Sequence, residues 1–306
     1  MKILFFGSSS FSVPPLKSIV SRTPYVVTKK AKPKGRGYVL DDNEVKKAAK
    51  EMDLPLLEID SFKDEAAQKL REFEPELIVT ASFGLILPKW CLELPAVGAI
   101  NVHPSLLPKY RGPSPIQWAL LNGEEKTGIT LMKMVEKMDA GSIIYQEDTP
   151  IKQDDDAITL SLKLSRRASE ILPGVINGIE INGMVAGTEQ NDKEATYAPI
   201  ITREMAKIDW SKTAIEIVRQ IKAFVQWPTA YTFLDDVLLK VFDAEVHVGE
   251  KNASSGTIFG KNRDGIFVAT SDGSALVKEV QLENRRRIRA SEFANGYRGL
   301  IGKILK

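Results

Sequence analysis

Leu77-Ile78-Val79-Thr80-Ala81 has few places to go in a folded chain. It is uncharged and does not alternate polar with apolar residues, so both of its faces must be covered. Such strands belong to parallel sheets with helices on their flanks. Ala99 to Val102 is a second strand, entered through Gly98 and leading on to His103. Lys2 to Phe6, Tyr25 to Thr28 and Leu56 to Ile59 also read as strands. Helical signals fall between them: from Pro14 or Pro15 onward, over Asp42 to Met52, and over Lys63 to Phe73. Gln117 to Leu121 closes another helix at Asn122-Gly123. Strands at Thr130 to Met134 and Ser142 to Glu147 follow, then a long helix from Thr159 to Gly178 with Pro173 a kink point. Strands alternating with helices predict an α/β fold with a doubly wound, Rossmann-like parallel sheet.

Periodicity is lost near Thr188 and returns beyond Met205, which predicts a domain over 1–188, a linker over 189–206 and a second domain over 207–306. Thr213 to Phe224 reads as a helix, with Ile215, Val218, Ile221 and Lys222 tracing period 3.6 on one face. Short strands are expected at Thr229 to Phe233, Leu238 to Phe242, Ala244 to Val248, Gly256 to Phe259, Gly265 to Thr270 and Ala275 to Val280. Glycine and aspartate turns separate them, the pattern of a small OB-like β-barrel.

Composition removes several function classes. A chain of 306 residues has room for two cores. Cys91 is the only cysteine, so neither an internal disulfide nor a cysteine zinc cluster is available, and a reducing compartment is expected. With two histidines far apart in the chain, no metal site is expected. No segment has the apolar length of a membrane helix, and the Ile3-Leu4-Phe5-Phe6 run is too short for a signal-peptide core. A cytoplasmic protein without membrane partners is expected. The net charge of +2 leaves any polyanion partner to local charge.

Asn101 and His103 lie two apart in a strand, so their side chains leave it on one face. Pro104 and Pro108 then stop the strand and stiffen the loop. An amide donor beside a titratable ring, at the carboxyl end of a strand, suits acyl transfer. Asp139, in Met138-Asp139-Ala140-Gly141, reads by itself as a turn residue. The loop Gly7-Ser8-Ser9-Ser10-Phe11 lacks the dinucleotide glycine pattern, and reads equally as a ligand loop or as a tight turn with a serine helix cap. Phe83, Gly84, Leu85 and Ile86 suit one wall of a pocket for a flat heterocycle, and suit core packing as well.

Lys32, Lys34 and Arg36 stand with Lys29 and Lys30 in a loop holding Pro33, Gly35 and Gly37 and no acidic residue. A single-signed run of this kind is either a solvated face or a partner for a phosphate backbone. Residues 240–306 carry twelve Lys and Arg against eight Asp and Glu, with Arg285, Arg286, Arg287 and Arg289 the densest group. Basic surface on a small barrel suits nucleic acid, although such barrels also bind sugars.

Taken together, these segments resemble the folate-dependent formyltransferases over nearly the whole chain. The resemblance rests on Asn101 through Pro108, Tyr110-Arg111-Gly112, Pro115-Ile116-Gln117 and Asp139-Ala140-Gly141. Lys32-Pro33-Lys34-Gly35-Arg36-Gly37, Lys207-Ile208-Asp209-Trp210-Ser211, Ile221-Lys222-Ala223-Phe224 and Trp227-Pro228-Thr229-Ala230-Tyr231 narrow it to the methionyl-tRNA formyltransferase family. The first loop departs from that family, with serines where it usually reads Gly-Thr-Pro-acidic-Phe, and the chain between Arg22 and Thr28 is shorter.

The resemblance implies 10-formyltetrahydrofolate as donor and the α-amine of methionyl initiator tRNA as acceptor, in a monomer. It implies Asn101, His103 and Asp139 as catalytic residues. Asn101 would donate to the formyl oxygen, and His103, if protonated, would aid it and relay a proton to folate N10. Asp139 would be the anion that keeps the ring charged. Ser105, Leu106, Leu107 and Pro108 would line the folate site, with the wall from Phe83 to Ile86 against the pterin. Lys32, Lys34 and Arg36 would meet the acceptor stem, and Arg285, Arg286 and Arg287 the tRNA body. The rival readings are an amino-sugar nucleotide formyltransferase, a glycinamide ribonucleotide formyltransferase, and a non-catalytic tRNA-binding protein.

Overall fold

A computed structural model describes residues 1–306 apart from 24, 32, 35–38, 185, 186 and 248–252, and apart from the side chains of 33, 34, 39, 40 and 66. Two compact units emerge, one holding 1–115, 126–150 and 161–198, the other 116–125, 151–160 and 199–306.

The first unit is built on a seven-stranded sheet. Its strands are β1 (Ile3–Gly7), β2 (Tyr25–Lys29), β5 (Leu56–Ile59), β6 (Leu77–Ala81), β7 (Gly98–His103), β8 (Lys126–Lys133) and β9 (Ile143–Pro150). A separate antiparallel pair, β3 (Pro33–Lys34) and β4 (Val39–Leu40), lies in the basic loop. The order across the sheet is β5-β2-β1-β6-β7-β8-β9. The first five strands are parallel, while β8 runs antiparallel to β7 and β9 antiparallel to β8. That last pair is a hairpin, and a short connection can join only antiparallel neighbours. The uncharged strands sit where their composition requires, since every residue of β1 and of β6 is buried.

One core cluster gathers Leu4, Phe6, Val27, Ile59, Leu70, Ile78, Phe83, Leu87, Cys91 and Ala99. The expected helix over Lys63 to Phe73 is shorter, a turn of α-helix at Glu65–Gln68 followed by 3-10 geometry over Lys69–Glu72. The long helix is continuous over Ala157–Asn182, with Pro173 inside it.

In the second unit the helix Ala214–Phe224 begins with a capping box, Thr213 accepting from the Glu216 backbone and Glu216 from the Thr213 backbone. Ile217, Val218, Ile221 and Phe224 make its buried face. Ile215, expected on that face, is 43% exposed. At 100° per residue, Ile217, Ile221 and Phe224 form a stripe that leaves Ile215 outside.

Six strands follow: β10 (Tyr231–Leu234), β11 (Val237–His247), β12 (Ile258–Lys261), β13 (Ile266–Ala269), β14 (Ser274–Leu282) and β15 (Ile288–Arg289). The strands expected at Leu238 to Phe242 and Ala244 to Val248 are one strand, β11, as far as His247, with a bulge between Val241 and Ala244, and Val248 lies outside the described residues. A bulge bends a strand without ending it, and Asp243 at that point gave the sequence its break. The antiparallel order is β10-β11-β14-β13-β12, with β15 on β14. Residues 303–306 join the two edges. The Ile258 and Leu305 amides donate to Lys303 and Gly256 oxygens at 2.8 Å, while Phe233 and Lys306 exchange two bonds of 3.0 Å. The sheet curls into an OB-like half-barrel that this segment completes.

Candidate active site

The site grows from the end of β7, where the strand's own geometry projects Asn101 and His103 to one side. Thr80 on the adjacent β6 is registered opposite Asn101. Its hydroxyl donates to Asn101 Oδ1 at 2.7 Å. Asn101 Nδ2 is thereby turned toward Asp139, 3.4 Å from Oδ1. His103 is 3% exposed, and its Nε2 lies 2.9 Å from the Tyr110 carbonyl. A carbonyl only accepts, so Nε2 carries a proton and Nδ1 is the nitrogen turned to the site. Nδ1 is 3.7 Å from Asp139 Oδ2, too long for a direct hydrogen bond. The Gly112 amide donates to that same Oδ2 at 2.8 Å. Asp139 itself has φ of 48°, so the turn that carries it is left-handed.

The structure therefore brings Asn101, His103 and Asp139 together around one small space. An amide donor, an imidazole nitrogen and a carboxylate face each other there, each oriented from behind. That set can bind a carbonyl oxygen as it gains negative charge and can hold or move a proton beside it.

The Ser105 to Pro108 loop, which contains a cis Leu107–Pro108 peptide, is fixed by Thr130 on β8. Thr130 Oγ1 donates to Ser105 O at 2.6 Å and accepts from Leu107 N at 3.2 Å. Gln146 Nε2 donates to that hydroxyl and to Leu107 O, both at 2.8 Å. Ser105 Oγ donates to Lys109 O at 2.7 Å, so its hydroxyl is committed to the loop. Leu106 and Pro108 are half-buried and Leu107 is buried.

The wall after β6 divides. Phe83 is buried in the core, its ring edge-on to Phe6 at 5.1 Å. Leu85 packs on the same cluster, Gly84 is exposed with φ of 78°, and Ile86 is 71% exposed. In the first loop, Ser8 Oγ accepts from the Lys29 amide at 3.1 Å and lies 3.2 Å from Thr28 Oγ1.

Lys32 and Arg36 lie outside the described residues, as does the side chain of Lys34. Arg285, Arg286 and Arg287 are exposed. Arg287 pairs with Glu279 and stacks 4.2 Å over Phe242, so its guanidinium is already engaged within β11–β15. Among the described residues no group of three His, Cys, Asp or Glu side chains is placed to hold a metal ion. No described helix is long and apolar enough to cross a membrane.

Sequence reasoning did not single out Thr80, Thr130 or Gln146. The signal for Thr80 was present, a lone hydroxyl inside an otherwise apolar strand.

Comparison with known proteins gives the family. The formyl transferase family model matches residues 1–176, and the model of the formyl transferase C-terminal domain matches 200–298. The methionyl-tRNA formyltransferase of Citrifermentans bemidjiense is 38% identical over 99% of this chain and 97% of its own length. That of Caldanaerobacter subterraneus subsp. tengcongensis is 40% identical over the full length of both. The chain belongs to the methionyl-tRNA formyltransferase family. Solved structures agree on the fold. The methionyl-tRNA formyltransferase from Clostridium thermocellum superposes with a TM-score of 0.56 at 19% identity, over 82% of this chain and 95% of that one. The sugar 3N-formyltransferase WlaRD superposes at 0.67 with 21% identity, over 94% and 99%. HypX from Aquifex aeolicus, solved with tetrahydrofolic acid, superposes at 0.68 with 16% identity, and this chain spans about half of its length (48%).

Proposed function

We propose that the protein transfers the formyl group of 10-formyltetrahydrofolate to the α-amine of methionyl initiator tRNA, giving N-formylmethionyl-tRNA for translation initiation. Full-length identity to methionyl-tRNA formyltransferases at about 40% carries the choice of acceptor. The meeting of Asn101, His103 and Asp139 supports the chemistry.

In this reading the amine attacks the formyl carbon and negative charge grows on the formyl oxygen. Asn101 Nδ2 donates to that oxygen from the direction Thr80 imposes. His103 Nδ1, the nitrogen left facing the space, carries the second proton of an imidazolium and donates to the same oxygen. Asp139 is the anion that accompanies the charged ring, held for that task by the Gly112 amide. As the C–N10 bond breaks, His103 gives its Nδ1 proton to N10. The attacking amine sheds one proton to the Asp139 carboxylate, directly or through water, and passage of that proton to Nδ1 restores the imidazolium.

Ser105, Leu106, Leu107 and Pro108 would form the folate edge of the site, with Gly84, Leu85 and Ile86 opposite. Phe83 would act from within the core, by setting the course of that wall. Lys32, Lys34 and Arg36 would meet the acceptor stem, and Arg285, Arg286 and Arg287 would face the tRNA body. Residues 1–188 form the catalytic domain in this reading, 189–206 a linker and 207–306 the tRNA-binding domain. The enzyme acts as a cytoplasmic monomer, as translation initiation requires no membrane.

The test is transfer of labelled formyl from 10-formyltetrahydrofolate to charged initiator tRNA, with an amino-sugar nucleotide in parallel. Label on the tRNA, lost in His103→Ala, is expected. Label on the sugar alone would keep the chemistry and change the acceptor; label on neither would leave a non-catalytic tRNA-binding protein.

A further inference from the structure

Among the described residues Arg111 is the largest side chain buried almost completely, at 1% exposure. A guanidinium out of water is costly unless its donors are met, so its partners show what it is kept for. Nε and Nη2 donate to Gln190 Oε1 at 2.9 and 2.8 Å, and Nη1 donates to Asp192 Oδ1 at 2.7 Å. Gln190 is thereby turned so that Nε2 donates to Asp139 O at 2.9 Å and to Gly141 O at 2.7 Å. All four hydrogen-bonding directions of this amide are used.

The backbone around Arg111 serves the same centre. The residue before it supplies the carbonyl that receives His103 Nε2, and the residue after it supplies the amide on Asp139 Oδ2. Arg111 is in turn laced to the stretch that reads as aperiodic in the sequence. Its amide donates to Thr196 O at 2.9 Å, its carbonyl accepts from Ala198 N at 2.8 Å, and Tyr110 N donates to Thr196 Oγ1 at 2.9 Å. Asp192 also accepts from Lys137 at 2.6 Å, two residues before Asp139. Lys137, and then Arg111, hold the Asp192 carboxyl below the usual carboxylate range, so the clasp stays charged at neutral pH.

We infer that Arg111 and Gln190 are positioning residues of the formyl-transfer site: the guanidinium aims the Gln190 amide, and the amide holds the left-handed Asp139–Gly141 turn so that the Asp139 carboxylate stands between Asn101 and His103. This inference rests on the function proposed above. A left-handed aspartate is strained relative to ordinary backbone, so the turn relaxes when its carbonyls lose their donors. Stretch 190–198, the start of the segment read above as a linker, then supports the catalytic apparatus through Asp139 and Arg111.

Gln190→Glu is the decisive variant. It is isosteric and still accepts from Arg111, but an anionic oxygen replaces the amide that donates to the turn, so Gln190→Met is measured beside it to separate lost donors from added charge. Two readouts are taken: kcat and KM for both substrates, and the imidazole nitrogen–proton cross-peaks of His103 with His247 as internal reference. The expected result is a kcat lowered about ten- to a hundredfold with folate KM within about twofold, while His103 signals move and His247 signals stay. Arg111→Lys keeps the charge and loses the fork, so it does not restore the wild-type pattern. His103 signals at their wild-type positions overturn the inference whatever happens to turnover. Moved signals with unchanged kcat overturn it too. Should Gln190→Glu not fold, Gln190→Met removes the same donors without adding charge and is read in the same way. The spectra do not depend on turnover, so a wild type that fails to formylate tRNA would sink the proposed function while the cross-peaks still decide the positioning role.

Discussion

Thr80 Oγ1 stands 2.7 Å from Asn101 Oδ1, and that single bond decides which end of the Asn101 amide faces Asp139. Without it the amide is free to turn its oxygen toward the space where a carbonyl gains negative charge. Thr80→Val keeps the shape of the side chain and deletes the donor. Its kcat is expected to fall about tenfold, the worth of one well-placed hydrogen bond, with both KM values little changed. Thr80→Ser restores it. Asn101→Ala, which removes the donor outright, is expected to cost roughly 10²–10³ in kcat. Steady-state kinetics on these variants make the check, and a Thr80→Val enzyme at full speed would mean that the amide orients itself.

Thr130 serves the neighbouring loop through a hydroxyl that gives one bond and receives two. Thr130→Val leaves Ser105 O and Leu107 N without that partner in a buried setting. Stranding such groups costs on the order of 1–3 kcal/mol. Urea unfolding is expected to show a loss of that size. Folate KM is expected to rise more than kcat falls if, as proposed above, this loop lines the donor's site away from the reacting carbon. Gln146→Leu removes one bond to the same hydroxyl and one to Leu107 O, and should show both effects.

Cys91 is fully buried in the first unit's core, and desolvation pushes its thiol from 9.0 up to about 12. The folded state therefore keeps the proton where the unfolded chain has lost it. The stability this represents is complete below about pH 9 and is lost as pH rises from there toward about 12. Cys91→Ala removes that contribution. Urea midpoints of wild type and variant should run parallel below pH 9 and converge above it, where the wild type alone loses ground. Curves parallel throughout would mean the thiol titrates as in water. Thiol reagents at pH 8 should react with Cys91 only after unfolding.

The central strands β1 and β6 were legible because each is a short uncharged run whose two faces both need cover, and the spacing of Asn101 and His103 was legible because strand geometry is strictly two-fold. The antiparallel edge was harder to see, since the polar, half-buried β9 marks an edge while nothing in β8 or β9 fixes the direction of pairing. Arg111 and Gln190 were hidden for a physical reason. An arginine reads as surface by default, and Gln190 meets Asp139 across 51 residues of chain from within a stretch with no periodicity. In the second unit the bulge in β11 hid one strand as two. Ile215 looked like core because it is isoleucine, and only the phase of Ile217, Ile221 and Phe224 puts it outside.

Arg285 and Arg286 follow the turn at Asn284, whose φ is 59°, and both are exposed. Arg287, the third of the run, is held by Glu279 and lies over Phe242. The three are therefore not equivalent. Replacing Arg285 and Arg286 together by glutamate should raise the KM for tRNA and leave folate KM and thermal stability nearly unchanged. If each contacts a phosphate, the log–log salt dependence of tRNA binding should flatten by roughly one for each lost contact. Arg287→Glu should behave differently. It sets a second carboxylate against Glu279 of β14 from the residue just before β15 and strips the Phe242 ring of its cover, so loss of stability should accompany any loss of tRNA affinity. Filter binding across a salt series, beside thermal unfolding of the same variants, separates the two patterns. Equal losses of tRNA affinity from all three positions, with no change in stability, would mean that Arg287 leaves Glu279 to take up a phosphate.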